Sequence, residues 1–211
     1  MSDGRSPATT SLAAVTSAAS LWRATALAWL ALRLACAPAF AQPAGSNALS
    51  DAALRGDALT ARKLLDGGAD PNARDELGST PLMNAVSMTA RRDTGGDFLA
   101  TAKLLLERGA DPNLTNPAGR TALLDATVGY ASESGIVLVP EPLVELLLRA
   151  GADVDAQASD GTTALHQVAG QFASQPRLIR MLLDHGARQN LADKEGRTAL
   201  MRAAMLGRTE L

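Results

Sequence analysis

The sequence predicts an all-α protein, a solenoid of antiparallel helix pairs stacked in a row and joined by short β-turn fingers. Three observations carry the prediction. The block Gly68-Ala69-Asp70-Pro71-Asn72 recurs as Gly109-Ala110-Asp111-Pro112-Asn113, as Gly151-Ala152-Asp153-Val154-Asp155 and, more loosely, as Gly186-Ala187-Arg188-Gln189-Asn190. A second block follows each first Gly at a fixed offset of ten residues: Gly78-Ser79-Thr80-Pro81-Leu82, Gly119-Arg120-Thr121-Ala122-Leu123, Gly161-Thr162-Thr163-Ala164-Leu165 and Gly196-Arg197-Thr198-Ala199-Leu200. Leu-rich runs (Leu104 to Leu106, Leu146 to Leu148, Met181 to Leu183) end just ahead of three of the first blocks. Self-similarity at a fixed period is the signature of stacked repeat units.

Each element has a local cause. The opening unit lacks a turn block and starts near Ala48, with a first helix to Gly56-Asp57 and a second through Leu64-Leu65. The Leu-rich runs end amphipathic second helices, and the Gly after each supplies the left-handed residue that stops a helix. Asp, Pro and Asn then form a turn. A second Gly leads into Thr80, Thr121, Thr163 or Thr198, a natural N-cap for the next first helix. Pro81 sits at the first helical position, where a missing N–H costs nothing. Small residues in the first helices (Ala85, Ala126, Ala169, Ala203, Ala204) let neighbouring helices approach closely. Aromatic residues are few: three Phe, two Trp and one Tyr. A core of Leu, Ala, Val and Met suits helix packing better than a β-sandwich.

These blocks resemble the ankyrin-repeat family, whose unit of about 33 residues is a turn and two antiparallel helices opening with a Thr-Pro-Leu-His-x-Ala motif. Ser79-Thr80-Pro81-Leu82 and Thr163-Ala164-Leu165-His166 are the nearest matches. The resemblance covers roughly residues 47–211, with the fifth unit incomplete. It departs from the pattern in two ways. Successive first blocks are 41, 42 and 35 residues apart, which places extra residues between the two helices of a unit. One insertion, near Thr89 to Asp97, is polar, with Arg91-Arg92 and Gly95-Gly96; the other, near Ala131 to Pro140, contains Ile136-Val137-Leu138-Val139. Each is read either as a longer helix or loop folded over its own unit, or as part of a binding face. The motif His survives only as His166, with Met83, Leu124 and Met201 at its position elsewhere. The resemblance assigns His166 to hydrogen bonds that stiffen the stack. In the fifth unit Met201, Met205 and Leu206 are left incompletely covered, which reads as a truncated unit or one that a partner completes.

The N-terminus reads as an address. Arg23 precedes the apolar stretch Ala24 to Leu32, Arg33 interrupts it, and Pro38 stands before Ala39-Phe40-Ala41 with Gln42 next. That is the pattern of a secretory signal peptide cleaved after Ala41, with a disordered extension before it and a short linker over residues 42–46. The start codon is open, with Val15 and Leu21 as candidates. A retained anchor is the alternative, but Arg33 is costly at mid-bilayer and neither half is long enough to span. A lipidated Cys36 would follow Arg33-Leu34-Ala35, a poor match. Arg predominates over Lys, the composition of a GC-rich bacterial genome, so the expected destination is the periplasm or the exterior. Loss of Asp3, Arg5, Arg23 and Arg33 leaves 21 acidic and 17 basic residues, net −4, against −2 for the whole chain. Cys36 is the single cysteine, so intrachain disulfides and four-thiolate metal sites are excluded.

Chemistry is hard to place. There is no phosphate-binding Gly loop with its Lys, no zinc-protease helix motif and no nucleophile elbow. Asp70, Asp111 and Asp153 recur once per unit at a turn, which marks structure rather than an active site. Asn113-Leu114-Thr115 fits a glycosylation acceptor but lies within the repeat block. His185 ends a helix, where it can meet the C-terminal dipole. No basic excess suggests nucleic acid.

The resemblance therefore implies a non-enzymatic scaffold without cofactor or metal, a monomer whose partner is another protein. Nucleic acid is not expected as a partner, nor a stable membrane anchor after cleavage. An accessory or inhibitor of a periplasmic enzyme, for example in oxidative-stress defence, is the alternative. The implied partner-facing positions are the finger tips and first-helix surface. They are Glu76, Leu77, Ser79, Asn84 and Met88; Pro117, Ala118, Arg120 and Asp125; Ser159, Asp160, Thr162 and Gln167; and Lys194, Glu195, Arg197 and Arg202.

Overall fold

The computed structural model describes residues 46–87, 96–128, 130–131, 137–171 and 175–205. The address segment, Met88, Arg91-Arg92, Ile136 and Leu206 lie outside the described residues. Nine helices fall among them: α1 (Ser46–Arg55), α2 (Ala58–Asp66), α3 (Pro81–Val86), α4 (Phe98–Glu107), α5 (Ala122–Ala126), α6 (Glu141–Arg149), α7 (Ala164–Ala169), α8 (Pro176–Asp184) and α9 (Ala199–Met205). A two-residue ribbon, β1 (Tyr130–Ala131) with β2 (Val137–Leu138), lies between α5 and α6.

The helices form two rows. The short first helices α1, α3, α5, α7 and α9 make the inner row, each packed on the next, and α2, α4 and α6 of the outer row do likewise. Each first helix packs on the second helix of its own unit: α1 on α2, α3 on α4, α5 on α6, α7 on α8. The core runs between the rows as one cluster that includes Leu49, Leu82, Leu105, Leu123, Leu147, Leu178 and Leu182, interleaved with Ala52, Ala85, Ala126 and Ala203. Small residues bring inner-row helices together while Leu fills the space between rows, which is how an aromatic-poor chain reaches close packing.

The expected ends are present. Gly68, Gly109, Gly151 and Gly186 all take positive φ, between 85° and 90°. Thr80, Thr121, Thr163 and Thr198 each accept a hydrogen bond at Oγ1 from the backbone N–H three residues on, at 3.3–3.4 Å. Among the second helices, α2 and α4 are capped by Asp57 and Asp97, and α6 and α8 open with Pro in the first turn.

The insertions fall between the two helices of their units. At the end of the polar one, Gly96 crosses the α1–α2 turn so closely that a Cβ there would lie 1.9 Å from Arg55 O, and the Asp97 N–H donates to Gly56 O at 3.0 Å. Glycine is required because two main chains touch. In the apolar insertion Tyr130 pairs with Leu138 and Ala131 with Val137, antiparallel. Val139 is buried. The described part of this insertion turns back on itself in a short ribbon that the apolar run alone did not predict.

Candidate functional site

The fingers are built by one device used three times. Asp75, Asn116 and Asp193 each stand three residues before a second-block Gly. Asp75 Oδ1 accepts from Leu77 N and Ser79 N at 2.9 Å, Asn116 Oδ1 from Ala118 N and Arg120 N at 3.0 and 3.1 Å, and Asp193 Oδ1 from Glu195 N and Arg197 N at 2.9 Å. A side chain that mimics a main-chain acceptor closes the turn. The remaining finger, third in chain order, has Ala158 there, and Asp160 Oδ1 accepts from Thr162 N at 2.9 Å instead.

Neighbouring fingers are stitched together by the first-block residues. Asn72 Nδ2 donates to Gly109 O at 3.0 Å while its Oδ1 accepts from Asp111 N at 2.8 Å. Asn113 repeats the pattern on Gly151 O and Asp153 N at 3.0 and 2.7 Å. Asp155 takes the third turn, accepting from Arg188 N at 2.9 Å and from its guanidinium at 2.8 Å. Asp70, Asp111 and Asp153 each accept from the N–H two residues on, so the recurring carboxylates shape turns. Asn113 is committed to the stitching. Arg74 donates both to its own finger, at Gly78 O, and to the next, at Thr115 O; Gln157 does the same to Gly161 O and Ala192 O.

Along the first helices the polar side chains bond to one another. Asn84 Nδ2 donates to Asp75 Oδ2 at 2.9 Å. Arg120 donates to Asp125 Oδ1 at 2.6 Å and to Leu124 O at 2.7 Å. The Gln167 amide, oriented by its surroundings, donates to Leu124 O (3.0 Å) and Thr127 Oγ1 (3.2 Å) and accepts from Arg120 Nη1 (3.1 Å). Arg202 reaches Asp193 Oδ2 through Nε and Nη2, at 3.0 and 2.6 Å, and Thr162 Oγ1 at 3.1 Å. His166 bridges units as the resemblance implied: Nδ1 lies 2.7 Å from Thr163 Oγ1 and Nε2 lies 2.9 Å from Arg197 O. His185 Nδ1 lies 2.9 Å from Met181 O at the end of α8.

Of the seventeen expected contact positions Met88 lies outside the described residues, and the other sixteen divide. Ser79, Asn84 and Thr162 are buried, which corrects their placement on the surface. Arg120, Asp125, Gln167, Arg197 and Arg202 are half-buried and engaged in the polar row. Glu76, Leu77, Pro117, Ala118, Ser159, Asp160, Lys194 and Glu195 are exposed at the tips. The sequence reading missed Asp75, Asn116 and Asp193, although their fixed offset before the second Gly was a readable signal.

Asp193 is the most constrained carboxylate of the row, its side chain 1 % exposed. Burial pushes its carboxyl up. The Arg197 N–H, the Arg202 and Arg197 side chains and the Glu195 N–H outweigh that and hold it well below the usual carboxylate range. A depressed native value means stability that is present above the unfolded value of 3.8 and lost as pH falls below it toward the native value. Asp193→Asn is thus expected to lower stability at neutral pH and to flatten the loss between about pH 4 and pH 2. Urea unfolding of both proteins at several pH values checks this; parallel acid limbs would refute it.

Among the described residues no group of three or more His, Cys, Asp or Glu is placed to hold a metal, and no helix is long and apolar enough to cross a membrane. Paired helices in two rows, with fingers stitched edge to edge, define a helical repeat solenoid. A family model described as ankyrin repeats matches the chain in three copies, over residues 18–116, 49–139 and 129–211. The chain belongs to the ankyrin-repeat family. Ankyrin repeats are a protein–protein interaction module, and proteins built from them are generally non-enzymatic scaffolds.

Proposed function

We propose that this chain is an exported, monomeric interaction scaffold that holds a partner protein against its finger tips. One observation carries the reading. The polar side chains of the first-helix row satisfy one another, so Glu76, Leu77, Pro117, Ala118, Ser159 and Lys194 are presented on turns that are already fixed. A partner meeting a preorganised surface avoids the cost of ordering it. Export rests on the sequence alone, on the apolar stretch Ala24 to Leu32 followed by Ala39-Phe40-Ala41.

The test has two parts. N-terminal sequencing of the protein from periplasm or medium is expected to begin at Gln42; soluble cytosolic protein with residue 1 intact would end the export reading. Affinity capture from the same fraction, followed by mass spectrometry, is expected to return one stable partner. Leu77→Arg and Ser159→Arg should each weaken that complex at least about tenfold, the loss typical of a central contact. Equal capture by wild type and both variants would rule out the finger tips. A captured enzyme whose turnover changes on binding would define the scaffold as an accessory or inhibitor.

A further inference from the structure

Among the described residues, the bonds between the third unit (α5, α6) and the fourth (α7, α8) lie on one side of the stack. At the fingers, Asn113 bridges to Gly151 O and Asp153 N, and the Ser159 N–H donates to Ala118 O at 2.9 Å. In the first-helix row, Gln167 reaches Leu124 O and Thr127 Oγ1, and Gln171 Nε2 donates to the carbonyls of Thr127 and Val128 at 2.5 and 3.2 Å. The second-helix row is different. There α2 packs on α4 and α4 on α6, but the row thins between α6 and α8. A groove of about 450 Å³ parts these two helices, with Glu145 of α6 on one wall and Arg180, Met181 and Asp184 of α8 on the other.

The charges along this groove do not bridge it. Between α2 and α4, Arg108 reaches back to Asp66 at 2.5 Å. The corresponding places beside the groove hold Arg149 and His185, neither of them acidic. Arg149 turns instead to Glu145 on its own helix, at 2.5 Å. On the opposite wall Arg180 makes no hydrogen bond or ion pair among the described residues. Glu145 therefore has one cation on its own helix and a second, unengaged one across the groove. Exposed ion pairs contribute little each, so exchanging one for the other is close to balanced. That is the condition under which two arrangements are both populated.

We propose that the junction between the third and fourth units is a hinge, about which α7, α8 and α9 swing as one body. The axis is the bonded seam of fingers and first helices. A seam bonded along one edge and open along the other leaves rotation about the bonded edge as the soft motion. In the open arrangement Glu145 holds Arg149; in the closed one it holds Arg180, and the groove between α6 and α8 narrows. The finger edge stays stitched through the swing, so the hinge does not depend on what the finger tips bind.

Spin labels on the second residue of each outer helix test this in the full chain carrying Cys36→Ser. Pro142→Cys with Arg177→Cys spans the groove, and Leu59→Cys with Leu99→Cys is the matched pair across α2 and α4. Pulsed electron–electron resonance is expected to give a distance distribution at least about twice as broad for the groove pair as for the matched pair. Arg149→Ala frees Glu145 and should raise the shorter-distance population at least about threefold, whereas Glu145→Gln and Arg180→Gln should each lower it. The described positions changed are exposed or half-buried, so helical circular dichroism should match that of the parent. Equal breadth in the two pairs would overturn the proposal, and so would a groove-pair distribution that Arg149→Ala leaves unmoved.

Discussion

Leu123→Ala is expected to cost about 2–5 kcal/mol of unfolding free energy, the range for emptying a filled Leu site in a core. Leu123 is 1 % exposed at the centre of the stack, on α5, which packs on α3, α6 and α7. Truncation removes three buried carbons and leaves a cavity that neighbours on three sides must close. In a linear array each unit is held only by its neighbours, so the loss also weakens coupling across the middle of the array. Urea unfolding monitored by helical circular dichroism should show a lower midpoint. A lower slope as well would report that the two ends of the stack have begun to unfold separately. Leu59→Ala, at an exposed site on α2, is the control and should stay within about 0.5 kcal/mol of wild type. Equal effects at the two positions would mean that the core does not run between the helix rows.

The fold was legible because its signals are local. A left-handed Gly after a Leu-rich run, and a Thr that caps a helix three residues on, are each decided within one turn of chain, and four copies in phase leave little room for another architecture. The contact surface was less legible. Asn84 looks like a surface residue in a short helix, but its partner Asp75 lies nine residues upstream across the finger. Thr162 is covered because Arg202, forty residues away, lies over it to reach Asp193. The roles of Asn72 and Asn113 depend on carbonyls 37 and 38 residues on. Periodicity marks such positions as structural without saying what they touch. The β1–β2 ribbon was hidden for another reason. Four consecutive apolar residues have no period, so a strand, a buried loop and a partner-facing patch read alike.

The glycines give the sharpest test of how the fingers hold the stack together, since two of them share a backbone conformation and differ in surroundings. Gly109 has φ 88° with nothing within 4 Å of a would-be Cβ; Gly119 has φ 69° with Ser159 N 2.9 Å away and Ser159 Oγ 3.0 Å away. Gly109→Ala therefore carries the left-handed strain alone, about 1–2 kcal/mol. Gly119→Ala carries that strain and also pushes the Gly161 finger off the Gly119 finger, breaking the Ser159 N–H bond to Ala118 O. Its expected cost is about 2–4 kcal/mol, the strain of one residue plus one broken hydrogen bond between fingers. The difference between the two variants isolates the finger-to-finger interaction from backbone strain, and chemical denaturation measures it directly. Hydrogen exchange adds a spatial readout: Gly119→Ala should loosen the amides of Ser159 and Gly161, whereas Gly109→Ala should not. If both variants are destabilised by the same amount, the fingers are independent turns on a helical stack, and a partner binding their tips would meet separate loops rather than one continuous rigid edge.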